Sequence, residues 1–104
     1  MTKATFYFDE NVPYGFLISG HSGFAESGED IVCASVSSVA YMVANTITEI
    51  LKINAKIEVN DGKMKLIVNK EQRHITKDIL LGLKLHLEGL EEQYPEFIET
   101  LTEV

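Results

Sequence analysis

The segment "DIVCASVSSVAYMVANTITEILKI", residues 30–53, decides the fold, because no glycine or proline interrupts it after Asp30. Its many β-branched residues leave the local propensity ambiguous, but a strand of this length would be unusual. Apolar residues recur every three or four positions, the spacing of a helix with one buried face. That stripe consists of Val32, Val36, Val39, Val43, Ile47, Ile50 and Ile53. The segment therefore predicts a long helix that begins just after Asp30.

Strands are predicted on both sides of this helix. The segment "TKATFYFD", residues 2–9, alternates apolar and polar positions as a half-buried strand does. After a turn at residues 10–15, "FLISG" at residues 16–20 predicts a second, shorter strand. The segment "AKIEVNDGKMKLIVN", residues 55–69, predicts a β-hairpin whose Asp61-Gly62 pair suits a type I′ turn.

A second long helix is predicted after the hairpin. Thr76 is a candidate N-cap, and Pro95 predicts an end near Tyr94. The apolar stripe of this helix consists of Ile79, Leu80, Leu83, Leu87 and Leu90. The last segment, "PEFIETLTEV", could add one short helical piece. The order β-β-α-β-β-α predicts an α/β fold, a two-layer sandwich in which two long helices pack on one small sheet.

The composition of the chain limits the classes of partner and function that it favours. A chain of 104 residues, 45% of them apolar, predicts one globular domain over residues 1–104. The net charge of −7 argues against direct binding of nucleic acid, because phosphate contacts need Lys and Arg, and it favours a basic partner. We find no signal-peptide pattern and no apolar run long enough to span a bilayer, so we expect a cytoplasmic protein with no membrane partner.

The single cysteine excludes an internal disulfide, and it shows no metal-ligand spacing with the three histidines. The chain also lacks a phosphate loop and a dinucleotide-binding fingerprint. We therefore expect neither a metal ion nor a cofactor.

Cys33 is the candidate nucleophile. If Asp30 caps the helix, Cys33 occupies the third helical position, where unpaired backbone N–H groups and the positive end of the helix dipole favour a thiolate. The alternative is that Cys33 is a small buried apolar residue, which is the commoner role of a free cysteine.

His21 is the candidate general base and acid. It follows Gly20 at the end of the second predicted strand, and one loop joins that strand end to the start of the helix, which would bring His21 near Cys33. Asp30 either only caps the helix or also orients His21. Ser37, one turn beyond Cys33, either packs against the sheet or forms a polar wall of the site.

The loop between His21 and Asp30 is predicted to be mobile. Ser22, Gly23 and Gly28 favour mobility, and Phe24 offers an apolar side chain that could close over a ligand as part of a lid. An ordinary surface loop is the alternative.

Two motifs resemble one family. "GHSG" at residues 20–23 and "DIVCASVS" at residues 30–37 are similar to the paired motifs of the ribosomal-processing cysteine protease family, Prp. The resemblance implies a cysteine endopeptidase that removes the N-terminal extension of large-subunit ribosomal protein twenty-seven, cutting after paired aromatic residues. It also implies that Cys33 is the nucleophile and His21 the catalytic histidine, that Asp30 and Ser37 support them, and that the protein is a homodimer.

The resemblance further implies a mechanism. The Cys33 thiolate would attack the scissile carbonyl, N–H groups at the helix start would bind the oxyanion, and His21 would protonate the leaving amine. Phe24 and Tyr41 are candidate walls of the pocket for the substrate's aromatic residues. The acidic surface suits a basic ribosomal protein as substrate.

Two other functions stay open on the sequence. The chain could be a non-catalytic ribosome-assembly or binding module of the same fold, or a redox-sensing thiol protein. The binding module predicts that Cys33→Ala leaves activity in cells unchanged, and the redox sensor predicts a reactive Cys33 whose oxidation alters binding but gives no peptide product. The protease predicts a product from the extended substrate that mass spectrometry would detect.

Overall fold

The computed structural model describes residues 1–20 and 27–104 of the chain. Within these ranges, the elements are β1 (Thr2–Asp9), β2 (Val12–Ser19), α1 (Ser27–Asn45), a π-helical turn (Thr46–Ile50), β3 (Ala55–Asn60), β4 (Lys63–Val68), a 3-10 turn (Lys70–Gln72), α2 (Arg73–Gln93) and β5 (Ile98–Glu103).

In these described residues, five strands form one sheet in the order β3-β4-β2-β1-β5. All neighbouring strands are antiparallel except β5, which runs parallel to β1. The two helices cover the face of the sheet that carries the buried residues Ala4, Phe6, Phe16, Ile18, Met64, Leu66, Val68 and Ile98. The predicted two-layer α/β sandwich and its β-β-α-β-β-α order are therefore confirmed.

The fifth strand corrects the prediction for the end of the chain. The segment predicted as a short helical piece instead forms β5, whose Ile98 pairs with Thr2 of β1. Ile98, Thr100 and Thr102 are β-branched residues at alternate positions, a pattern that suits a strand. Helix α2 nevertheless ends where Pro95 predicts, at Gln93 with Tyr94 as its C-cap.

The turns of the two hairpins differ in the φ angles of their central residues. Glu10 and Asn11 join β1 to β2 with φ angles of 50° and 68°, so both central residues take the positive values that a type I′ turn requires. In the β3–β4 hairpin, Gly62 has a φ of 74° but Asp61 does not share a positive φ. The predicted hairpin is confirmed, but its type I′ turn is wrong.

Helix α1 begins earlier than predicted. It starts at Ser27, so Asp30 is the fourth helical residue and not the N-cap, and Gly28 lies in the first turn and not in the loop. An acidic residue this close to a helix N-terminus interacts favourably with the dipole, which is consistent with the longer helix. The predicted stripe is buried at Val32, Val36, Val43, Ile47 and Ile53, half-buried at Val39 and exposed at Ile50.

By length and composition alone, Asp30–Ile50 could cross a membrane, although the sequence analysis finds no apolar run of that length. The buried side of α1 accounts for part of this apolar character, because Val32, Val36 and Val43 pack in the core with the sheet.

Helix α2 buries the predicted stripe through Leu80, Leu83 and Leu87. Thr76 is not its N-cap, since the helix begins at Arg73, and the buried Thr76 hydroxyl donates instead to the Arg73 carbonyl at 3.5 Å. The 3-10 turn before α2 supplies three residues that the sequence pattern assigns to no element.

Candidate active site

A cleft of about 340 Å³ lies between α1 and the β3–β4 hairpin. Helix α1 contributes Cys33, Ser37 and Tyr41, which follow one another at intervals of four residues and therefore share one helical face. The hairpin contributes residues 59–64, and the ends of β1 and β2 form the floor through Thr2, Ile18 and Gly20. The cleft thus lies at the end of the sheet where β1 begins and β2 ends.

Cys33 is half-buried and opens into this cleft. Its Sγ lies 3.1 Å from Oγ1 of Thr2, within hydrogen-bonding distance. The sulfur is therefore held at a wall of the cleft and is not sealed in the core. This placement suits a nucleophile better than a small core residue.

The helix start does not lie at Cys33. Because α1 begins at Ser27, Cys33 is its seventh residue and not the third, so the predicted position at the free N–H groups is wrong. Those groups belong to the first four helical residues, and the dipole's influence is confined to the first turn. The backbone N–H of Cys33 lies inside the helix, so the prediction that helix-start amides surround the sulfur is also wrong. The prediction that such amides bind the oxyanion stays a prediction.

Ser37 and Asp30 differ in their relation to the cleft. Ser37 is exposed and lines the cleft one turn beyond Cys33, which favours the polar-wall interpretation over packing against the sheet. Asp30 lies one turn before Cys33 and is exposed, and it is not among the residues that line the cleft. Its orientation of His21 stays a prediction.

His21, Ser22, Gly23 and Phe24 lie outside the described residues, so the roles predicted for them stay predictions. The last described residue before them, Gly20, lines the cleft together with Cys33. His21 therefore directly follows, in the sequence, a residue that lines the cleft.

Gly20 is held at the cleft from two sides. Its N–H donates to the Gly62 carbonyl at 3.0 Å, which links the end of β2 to the turn of the β3–β4 hairpin. Its φ is +91°, and a Cβ at this position would overlap the Met1 carbonyl oxygen. Only glycine can adopt this φ angle and lie this close to the Met1 carbonyl without a shift of the backbone.

The walls of the cleft include residues that the sequence analysis did not select. Tyr41 lines the cleft as proposed, and the exposed Val59 adds a second apolar side chain from β3. Lys63 and Asn60 add polar groups at the hairpin turn. A signal existed for Thr2, because it is a polar residue on the face of β1 that otherwise carries Ala4 and Phe6.

Among the residues that the structure describes, no three His, Cys, Asp or Glu side chains are grouped to hold a metal ion. The polar groups that line the cleft are a thiol, hydroxyls, an amide, an amine and the single carboxylate of Asp61. This set can supply a nucleophile and hydrogen bonds.

Comparison with known proteins identifies the family. The family model described as cysteine protease Prp matches residues 1–99. The ribosomal processing cysteine protease Prp of Bacillus subtilis (strain 168) is 25% identical over 95 residues, which cover 86% of this chain and 85% of the relative.

Two crystal structures of the essential ribosomal processing protease Prp from S. aureus share the fold. The structure in complex with a substrate peptide has a TM-score of 0.89 and 23% identity, over 99% of this chain and 100% of the other. The structure with a covalently linked product peptide has a TM-score of 0.85 and 25% identity, over the same shares of the two chains. The family match over residues 1–99 and the shared fold lead to one conclusion: this chain belongs to the cysteine protease Prp family and is a hydrolase of the thiol-protease class.

Proposed function

We propose that this protein removes the N-terminal extension of large-subunit ribosomal protein twenty-seven by cutting after paired aromatic residues, with Cys33 as nucleophile and His21 as general base and acid. The observation that carries the proposal is the half-buried Cys33 thiol at the wall of an open cleft. The description of the Bacillus subtilis relative as a ribosomal processing protease supports the substrate class.

The chemistry proceeds in two stages. His21 takes the thiol proton, and Sγ of Cys33 attacks the carbonyl carbon of the scissile peptide bond. As the C–N bond breaks, His21 gives its proton to the leaving amine, and the new N-terminus departs. A water molecule, deprotonated by His21, then attacks the thioester, which releases the carboxylate of the extension and restores the thiol. The S. aureus protease with a covalently linked product peptide supports this route through a peptide bound to the enzyme.

The shape and charge of the cleft support an aromatic substrate segment. Tyr41 and Val59 are 46% and 51% exposed, and they offer apolar surface on opposite walls of the cleft. Burying aromatic side chains against such surface contributes strongly to binding. The net charge of −7 would also attract a basic ribosomal protein, through interactions that salt weakens.

The test is mass spectrometry of the purified protein mixed with the extended ribosomal protein. We expect one cut after the aromatic pair, and no cut when that pair is replaced by alanines. Cys33→Ala and His21→Ala should each lower the cleavage rate by at least about a thousandfold, because residues that act together at a nucleophilic centre are individually essential. Cleavage by Cys33→Ala at the wild-type rate would refute the proposal.

Ser35→Ala is the matched control for Cys33→Ala. Ser35 lies two residues away on α1, is exposed, and donates to the Ile31 carbonyl at 2.9 Å without lining the cleft. We expect this variant to cleave like the wild type, while both variants keep the wild-type circular dichroism. An intact fold with no cut in any variant, the wild type included, would instead refute this ribosomal protein as the substrate.

We further propose that the protein acts as a homodimer in the cytoplasm, as the family resemblance implies. The helix layer offers apolar surface for such a contact, since Ile31, Met42 and Leu85 are 62%, 54% and 72% exposed. Sedimentation equilibrium should give twice the 11.6 kDa mass of the chain. A monomer at all concentrations would refute the dimer.

A further inference from the structure

Thr2 contacts the sulfur that we assign as the nucleophile. Its Oγ1 lies 3.1 Å from Sγ of Cys33, and the two residues come from different layers of the fold. We propose that Thr2 is a positioning residue, whose hydroxyl donates a hydrogen bond to the Cys33 thiolate and holds the sulfur for attack. This inference rests on the proposed role of Cys33.

The backbone of Thr2 is fixed on both sides. Its N–H donates to the Phe97 carbonyl at 2.9 Å, and Thr2 pairs with Ile98 of the parallel strand β5. The same end of β1 meets Gly20, whose Cα lies so close to the Met1 carbonyl that no Cβ would fit. The segment Met1–Thr2 therefore connects β5, the glycine before His21, and the thiol.

The side chain of Thr2 is as firmly held as its backbone. Thr2 is only 1% exposed, and it lies on the face of β1 whose next members, Ala4 and Phe6, are 0% exposed. A hydroxyl on such a face needs a partner, because a buried polar group without one costs free energy. Its partner here is Sγ of Cys33.

The chemistry of a hydroxyl suits both states of the sulfur. A threonine hydroxyl can accept from a neutral S–H and can rotate to donate to a thiolate. Donation to the charged form stabilises it, and charge-assisted hydrogen bonds are stronger than neutral ones. Thr2 keeps its own proton throughout, since His21 takes the proton of the thiol.

The hydrogen bond from Thr2 also supplies the stabilisation of the thiolate that the helix start does not provide. Cys33 lies in the second turn of α1, beyond the free N–H groups that would stabilise a thiolate there. A buried hydroxyl donor on the neighbouring strand provides that stabilisation from across the interface between the helix and the sheet. The site therefore depends on the docking of β1 against α1 and not on the helix terminus.

The decisive measurement is the rate of Cys33 alkylation by iodoacetamide as a function of pH, because the thiolate is the reactive form. In Thr2→Val, which keeps the shape of the side chain and removes its hydroxyl, we expect the midpoint of this profile to move to higher pH. Cleavage at neutral pH should fall by about tenfold, the size expected for a lost hydrogen bond to a charged group.

Three variants separate the hydroxyl from the packing. Thr2→Ser and Thr2→Ala both lack the γ-methyl group and differ only in the hydroxyl, so the serine variant should restore the wild-type midpoint and the alanine variant should not. This pair decides the question even if Thr2→Val does not fold. Thr76→Val is the matched control, because Thr76 is the other buried polar residue of the described chain and lies on α2, outside the cleft.

The charged groups on the described elements around Cys33 include Asp30 on α1, Asp61 and Lys63 on the hairpin, and the N-terminal amine of Met1 beside Thr2. All of these variants keep them, so their influence on the profile cancels. Superimposable alkylation profiles for the serine and alanine variants would overturn the role of Thr2. If the wild type leaves the ribosomal protein uncut, the proposed substrate fails, and the alkylation profiles still decide whether Thr2 stabilises the thiolate.

Discussion

The two ends of the sheet are built differently. At the end opposite the cleft, the side chains contact one another: Arg73 lies over the Tyr14 ring at 3.9 Å and pairs with Asp9 at 3.3 Å. Tyr14 stacks on Tyr7 with ring centroids 6.0 Å apart, and Lys65 lies 5.8 Å from the Tyr7 ring. Polar and aromatic groups at this end are arranged to stabilise each other.

At the cleft end, close backbone contacts are prominent among the residues that the structure describes. Gly20 meets the Met1 carbonyl and donates to the Gly62 carbonyl, and Thr2 is tied to Phe97. The side chains of Cys33, Ser37 and Tyr41 are left to face a cavity. The difference teaches that this fold places its reactive groups where close main-chain contacts, together with the Thr2 hydroxyl at the Cys33 sulfur, provide rigidity.

Among the substitutions that test this contrast, Gly20→Ala has the largest expected effect, because it disrupts the close contact with the Met1 carbonyl. A side chain at φ +91° is strained, and its Cβ would overlap the Met1 carbonyl, so the end of β2 must shift. Strain of this kind costs about 1–3 kcal/mol. We expect the free energy of unfolding in urea to fall by that amount and cleavage to fall by at least about tenfold, because small displacements of reacting groups are costly.

Gly82→Ala is the matched control for this substitution. Gly82 lies on α2 with no heavy atom within 4 Å of an added Cβ. Alanine in a helix interior is more stable than glycine by about 0.5–1 kcal/mol, so this variant should gain stability and keep its activity. Equal behaviour of the two variants would contradict the contrast between the ends of the sheet.

The contrast also explains which parts of the site the sequence could predict. Helix α1 and its buried Val32, Val36 and Val43 follow from periodicity within one segment, and so does the face of β1 that carries Ala4 and Phe6. The same periodic segment predicts that Cys33 lies on the helix, as it does. These inferences depend only on residues close together in the chain.

The main features that the sequence does not predict depend on contacts between distant segments of the chain. Strand β5 forms because Ile98 pairs with Thr2, near the other end of the chain, and no local sequence pattern predicts that pairing. The hydrogen bond between Thr2 and Cys33 joins residues 31 positions apart. The predicted helix start is too late because Gly28 and the acidic residues around it resemble a loop, although α1 includes them.

A smaller effect is expected on the open side of the cleft, from Tyr41→Ala and Val59→Ala. Both residues line the cleft, so each substitution removes apolar contact area for the substrate's aromatic pair. We expect KM for an aromatic peptide to rise by about tenfold, which corresponds to about 1.4 kcal/mol, with little change in kcat.

Ile57→Ala is the control for the hairpin wall. Ile57 lies on β3 two residues before Val59 and is 40% exposed, but it does not line the cleft. Steady-state kinetics should therefore give it a wild-type KM. A KM that rises equally in Ile57→Ala and Val59→Ala would mean that the hairpin acts through its stability and not through contact with the substrate.

The smallest effect belongs to the opposite end of the sheet and concerns Tyr7→Phe. Burial raises the pKa of Tyr7 above 10.0, with further contributions from Glu103 and Tyr14. The folded protein therefore holds the phenol proton more tightly than the unfolded chain does. The contribution of Tyr7 to the free energy of unfolding is complete below pH 10.0 and is lost as the pH rises through the raised pKa.

In Tyr7→Phe this loss of stability at high pH disappears. Urea unfolding at about pH 7 and about pH 11 should show a smaller alkaline decrease in the variant, by less than about 1 kcal/mol. Cleavage near neutral pH should not change, because Tyr7 lies five residues along β1 from Thr2 and its ring stacks on Tyr14 at the opposite end of the sheet. An altered cleavage rate would show that the two ends of the sheet are coupled, and the division between a self-contained end and a reactive end would then be wrong.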